Sequence, residues 1–167
     1  MKVGDLGLIG LGVMGANLAL NFERNGYVVA VYNRKEGEEQ DVVSGHENGG
    51  RQIDIKSLRI VDQCGEGHQS RGEPCVELLP HLSLGDIVID GGNSDFRDTD
   101  RRVRFMESRG IWFVGCGISG GAEGALNGPS IMPGGSVEAW PFIKDMLQSI
   151  AAKLEDGSPC CRWIGSG

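Results

Sequence analysis

Gly10-Leu11-Gly12-Val13-Met14-Gly15 is the stretch whose residue types and spacing point most directly to chemistry. Three glycines so placed, after the apolar run Leu6 to Ile9 and at the opening of a helical pattern, make a turn suited to a dinucleotide diphosphate. Gly10 allows the tight turn, Gly12 lets a phosphate approach the backbone, and Gly15 lets helix and sheet pack closely. Leu11, Val13 and Met14 contribute backbone at the helix N-terminus, where open amides and the positive dipole end favour an anion. The competing reading is a glycine-rich turn with no ligand.

A second group, Asn33-Arg34-Lys35, follows the apolar run Tyr27 to Tyr32. Domains that take NAD usually carry an Asp or Glu there for the ribose hydroxyls. A carboxylate would repel a 2′-phosphate, whereas an Arg fork, a Lys charge and an Asn amide can bind one, so NADP is the expected cofactor. A solvated basic patch is the alternative. Farther along, Asn93 can donate and accept hydrogen bonds, and Ser119 with Gly120 and Gly121 offers a hydroxyl beside exposed amides. These suit a carboxylate or a sugar hydroxyl. Asn93 in a Gly-Gly-Asn stretch also reads as a simple turn residue.

The elements that must position these groups follow from pattern. Leu6 to Ile9 reads as a strand, Val13 to Glu23 as a helix with Ala16, Ala19 and Leu20 at helical spacing, and Tyr27 to Tyr32 as a second strand. Asn25-Gly26 supplies the helix stop. Gly37 to Pro74 keeps no period; Ile53, Ile55, Leu58, Ile60 and Val61 offer one strand within what is otherwise a loop or a damaged region. Cys75 to Leu82 reads as a short helix, Asp86 to Asp90 as a buried strand, and Asp98 to Arg109 as a polar helix closed by Gly110. Ile111 to Val114 reads as a strand opening into a loop at Gly115 to Gly121. A last helix is expected with Ser136 as its cap, Pro141 in its first turns, and Ile143, Met146, Leu147, Ile150, Ala151 and Leu154 as its core stripe. The sum is α/β: a Rossmann-like, doubly wound, mostly parallel sheet with helices on both faces.

Bulk properties bound the function. The 167 residues suffice for one domain, taken as 1–167 with 35–74 irregular. A net charge of -7 argues against a nucleic-acid partner. No apolar run is long enough for a membrane span, and the start lacks a signal-peptide pattern, so a cytoplasmic protein is expected. Five cysteines at irregular spacing read as reduced thiols. Cys64, His68 and Cys75 match no common zinc spacing, so no metal is expected; Cys160 and Cys161 read as core or loop thiols. His46, His68 and His81 receive no role.

The blocks Leu8 to Gly15, Asn33-Arg34, Asp90-Gly91-Gly92-Asn93-Ser94, Ile118 to Gly121, Glu123 to Ala125, Gly128-Pro129-Ser130, Met132-Pro133-Gly134-Gly135 and Ala139-Trp140-Pro141 together resemble the 6-phosphogluconate dehydrogenase family. The first block is shared with β-hydroxyacid dehydrogenases of the 3-hydroxyisobutyrate type, an alternative that the Asp-Gly-Gly-Asn and Met-Pro-Gly-Gly blocks disfavour. The resemblance covers residues 3–34 and 76–167. It implies NADP-dependent oxidative decarboxylation of 6-phosphogluconate to ribulose 5-phosphate in the pentose phosphate pathway, linked to gluconate utilization. It implies Asn93 at the nicotinamide and the substrate, and Ser119, Gly120 and Gly121 at the substrate. The family's catalytic lysine and glutamate and its helical, homodimer-forming domain are expected beyond residue 167. No catalytic residue is therefore assigned in this chain, which is expected to be inactive alone: an NADP-binding module or a truncated product. Two departures stand out: residues 35–74 lack the family's Val-Lys-Ala-Gly-like loop, and Ala122 replaces a glutamate.

Overall fold

The computed structural model describes residues 3–32, 34–35, 38–39, 42–43, 54–55, 59–62 and 78–166. In chain order the elements are β1 (Val3–Gly4), β2 (Leu6–Ile9), α1 (Val13–Arg24), β3 (Val29–Tyr32), β4 (Arg34–Lys35), β5 (Glu38–Glu39), β6 (Val42–Val43), β7 (Asp54–Ile55) and β8 (Arg59–Asp62). There follow β9 (Ile87–Asp90), α2 (Phe96–Glu107), β10 (Trp112–Ser119), α3 (Gly121–Asn127), β11 (Ser130–Gly135) and α4 (Trp140–Ile150). Single 3-10 turns cover Leu79–His81 and Val137–Ala139.

Seven strands form the main sheet in the order β11-β10-β9-β8-β2-β3-β6. From β10 to β3 every pairing is parallel, and the antiparallel β11 and β6 close the two edges. The chain starts in the middle at β2, moves outward to β3, then crosses back to β8 on the other side of β2. That reversal is the topological switch of a doubly wound sheet, and open α/β sheets bind ligands beyond the carboxyl ends of the strands at such a point.

Side-chain alternation divides the core between the two faces. Ile87, Ile89, Val114, Cys116 and Ile118 join Leu18 and Phe22 of α1 and Ile143, Met146, Leu147 and Ile150 of α4 in one buried cluster. Val88 and Phe113 point the other way, onto Val103 and Met106 of α2. Helices thus cover both faces, as expected.

Several boundaries differ from the sequence reading. Helix α2 begins two residues early because Asp95 caps it, its carboxylate accepting the Arg97 N–H. Strand β10 runs through the expected loop to Ser119 because β11 pairs with it along six residues. Neither β11 nor the short α3 was anticipated. Ser136 does not cap: its hydroxyl donates to Glu107 Oε1 at 2.7 Å and accepts the Phe113 N–H at 3.1 Å. Leu154 is exposed, since the backbone turns extended at Ala151 and ends the helix there. On α1 the buried face is Gly15, Leu18, Asn21 and Phe22, with Leu20 exposed. Of the helix expected at Cys75 to Leu82, residues 78–82 are described: Leu78 is helical, and Leu79–His81 form a 3-10 turn. Where one strand was expected among Ile53 to Val61 there are two: Ile55 lies in β7, paired with β1, and Ile60 and Val61 lie in β8 at the sheet centre; Ile53 and Leu58 lie outside the described residues.

Candidate functional site

The glycine turn sits at the carboxyl end of β2, beside the switch. Gly10 has φ 93, a conformation that L side chains rarely adopt, and its N–H donates to the Tyr32 carbonyl at 2.8 Å. Gly15 is buried, and a Cβ there would lie 1.9 Å from the Gly10 carbonyl oxygen. Helix and turn touch at that point, so no side chain fits. Gly12 differs from both. Its φ of -63 is open to any residue, and a Cβ would meet nothing within 4 Å. Among the described residues neither backbone strain nor packing requires glycine at 12, so the space in front of it is open on that side to a ligand.

Gly12 is also the α1 N-cap, with no side-chain hydrogen bond and no acid in the first turn. Among the described residues no side chain caps the amides of Val13, Met14 and Gly15, and an anion placed there meets favourable dipoles. Leu11 and Met14 are half-buried against the core, and Val13 is 70% exposed. The turn can therefore hold a diphosphate through backbone alone.

Asn33 lies outside the described residues; Arg34–Lys35 forms a two-residue antiparallel ladder with Glu38–Glu39. Cys64, His68, Cys75 and His46 also lie outside them, and among the described residues no cluster of three metal-ligating side chains exists. His81 is exposed in its 3-10 turn.

Asn93 and Ser119 meet at the same carboxyl edge. Asn93 has φ 54, and its amide clasps Ile118: Oδ1 accepts the Ile118 N–H at 3.1 Å and Nδ2 donates to the Ile118 carbonyl at 3.4 Å. Ser119 is the last residue of β10 and is exposed. Gly120 and Gly121 turn into α3 with φ 141 and 62. A cleft of about 280 Å³ lies beside this junction, lined among others by Asn93, Ser94, Thr99, Gly117, Met132 and Ile164. Gly115 and Gly117 line it: a Cβ on Gly115 would come 2.4 Å from Thr99 Cγ2 of α2, and one on Gly117 would lie 3.2 Å from Met132 Cε and 3.9 Å from Asn93 Oδ1. Among the described residues no lysine or histidine lines the cleft.

Sequence reasoning missed the polar support under Asn93. Asp90 is 3% exposed; one carboxylate oxygen accepts the Gly92 N–H at 2.9 Å, and the other accepts Ser94 Oγ at 2.6 Å and Arg102 Nη1 at 2.9 Å. The signal was present in the pattern of α2, where Arg102 falls on the inner stripe with Thr99, Val103 and Met106. An arginine on an inward face implies a buried acid.

A doubly wound sheet with a ligand-ready glycine turn at its switch point defines a nucleotide-binding domain. A family model described as "NAD binding domain of 6-phosphogluconate dehydrogenase" matches residues 5–165. The chain belongs to that family. It is similar to decarboxylating 6-phosphogluconate dehydrogenases of Saccharomyces cerevisiae (49% identical over 98% of this chain and 35% of the relative), Aggregatibacter actinomycetemcomitans (47%, over 97% and 36%) and Homo sapiens (46%, over 99% and 36%). The chain thus spans about a third of the length of these relatives. Among solved structures, the Plasmodium falciparum 6-phosphogluconate dehydrogenase, studied apo, with NADP+ and with 6-phosphogluconate, superposes with a TM-score of 0.76 at 33% identity over 98% of this chain and 37% of that one. A Mycobacterium tuberculosis 3-hydroxyisobutyrate dehydrogenase shares the fold at 18% identity, TM-score 0.65, over 98% of this chain and 54% of that one.

Proposed function

We propose that this chain is the NADP-binding domain of a 6-phosphogluconate dehydrogenase, working in the cytoplasm within a homodimeric enzyme that converts 6-phosphogluconate to ribulose 5-phosphate. The observation that carries the reading is Gly12: a glycine whose added Cβ meets nothing within 4 Å among the described residues, at a helix N-terminus that no described side chain caps. Leu11 to Gly15 hold the diphosphate by their amides. Asn33, Arg34 and Lys35 take the 2′-phosphate and set the preference for NADP over NAD. Asn93 faces the nicotinamide and the substrate, and Ser119, Gly120 and Gly121 receive substrate hydroxyls or its carboxylate. Bound NADP supplies the hydride acceptor.

Among the described residues the cleft offers no lysine or histidine to remove the hydroxyl proton. Proton transfer by a positioned side chain contributes roughly 10² to 10⁴ in rate, so the 167-residue chain binds cofactor without turning over. Calorimetric titration of NADP and of NAD against the purified chain tests the reading. NADP-preferring binding supports it; a cooperatively folded chain that binds neither nucleotide overturns it.

A further inference from the structure

We infer that Arg102 is a positioning residue that holds Asn93, and through it the loop beginning at Ser119, in the geometry the ligand meets. The inference rests on the proposed roles of Asn93 and Ser119.

Asp90 ends β9 on the α2 side of the sheet, in step with Val88. A buried carboxylate is costly without a charge partner and full hydrogen bonding. Arg102, 11% exposed, supplies the charge, and the same Nη1 donates to Ser94 Oγ at 3.1 Å. Asp90, Ser94 and Arg102 therefore close a hydrogen-bonded triangle, with Gly92 tied to the second oxygen of Asp90. Asn93 lies between the two tied residues and is the one non-glycine among the described residues with positive φ. Asn tolerates this left-handed conformation better than most residues, and here the ties on either side hold it there.

From Asn93 the path continues outward. Its amide holds both backbone groups of Ile118, and Ser119 follows directly. Arg102 is not among the residues lining the cleft, whereas Asp90, Asn93 and Ser94 are. Its effect on a ligand must pass through them. A purely stabilising ion pair would shift the unfolding of the whole domain evenly; a positioning pair loosens one clasp first.

The test is amide hydrogen exchange by NMR on the 167-residue chain, comparing Ile118, whose N–H is held by Asn93 Oδ1, with Leu8 in the distant β2. Ser94→Ala, the milder variant, is expected to speed Ile118 exchange by about tenfold relative to Leu8, the effect of losing one hydrogen bond of ordinary net strength. Arg102→Met gives a larger change if it folds, and Arg102→Lys restores protection. A second arm compares NADP with 2′-phospho-ADP-ribose, which lacks the nicotinamide. Ser94→Ala is expected to lose affinity for NADP several-fold and keep its affinity for the shorter nucleotide. Equal acceleration at both amides, or none in a folded Ser94→Ala chain, overturns the inference. A wild-type chain that fails to bind NADP overturns the proposed function instead, and the exchange arm still decides on Arg102.

Discussion

At the scale of single residues, the three glycines of the turn carry separable duties. Gly15→Ala pushes a methyl group to within 1.9 Å of the Gly10 carbonyl oxygen, which neither helix nor strand can yield without moving apart. Overpacking of this kind costs about 1–3 kcal/mol or more, so thermal unfolding should fall clearly and nucleotide affinity with it. Gly12→Ala meets nothing within 4 Å and keeps an allowed φ. Its stability should fall by no more than about 1 kcal/mol, the cost of replacing Gly by the poorer N-cap Ala, and less than the Gly15→Ala loss. Its NADP affinity, read by calorimetry, should drop at least tenfold as the methyl occupies the diphosphate's approach. Loss of stability without loss of binding at Gly12 would show that the open space serves no ligand.

At the scale of elements, Asn21 joins three helices. Its Nδ2 donates to the carbonyls of Ala125 at the end of α3 and Ile150 at the end of α4, at 2.9 and 3.0 Å, and its Oδ1 accepts from Asn25. Asn21→Ala strands two buried helix-end carbonyls and leaves a void, a cost of about 2–3 kcal/mol. For a domain of this size that lowers the melting temperature by roughly 4–10 °C, measurable by circular dichroism. Such ties explain what the sequence could and could not disclose. The β2-turn-α1 unit was legible because its determinants are local: an apolar run, spaced glycines, and Asn25-Gly26, with Gly26 at φ 89. So was Ile87–Asp90, an apolar run between acids. Strand β11 was not, because Pro133, Gly134 and Gly135 are poor strand formers. Their strand exists because β10 lies on one side and the chain end on the other, with the Ile131 N–H donating to the Cys160 carbonyl and the Gly135 N–H to the Gly165 carbonyl. Ser136 misled for the same reason: its partners, Glu107 and Phe113, are remote in sequence. The Asn93 clasp joins residues 25 apart, beyond the reach of any local pattern.

At the scale of the whole molecule, two thiols tie stability to pH. Burial raises Cys161 from 9.0 to about 11, and burial together with the neighbouring Cys161 raises Cys116 further. Below pH 9 both are neutral whether folded or unfolded, and their contribution to stability is intact. Above pH 9 the unfolded chain releases these protons while the folded chain retains them, so stability falls from pH 9 to about 11. Melting temperatures from pH 7 to 10.5 should show this decline, with a shallower slope in Cys161→Ala.

Cofactor binding acts on the same equilibrium in the opposite sense. A ligand that binds only the folded chain adds about 2.7 kcal/mol when present at 100 times its dissociation constant, which raises the melting temperature by roughly 5–10 °C. The chain carries a net charge of -7, so the overall field does not favour an anion, and the proposed site relies on local amides and the cations after β3. At equal concentration NADP should therefore raise the melting temperature well above NAD, which lacks the 2′-phosphate, while added 6-phosphogluconate yields no reduced cofactor. Equal shifts for the two nucleotides would remove the role given to Asn33, Arg34 and Lys35 and leave the glycine turn standing. A cooperative transition that neither nucleotide moves would remove both, since the diphosphate is common to the pair and the turn at Gly12 is its proposed dock.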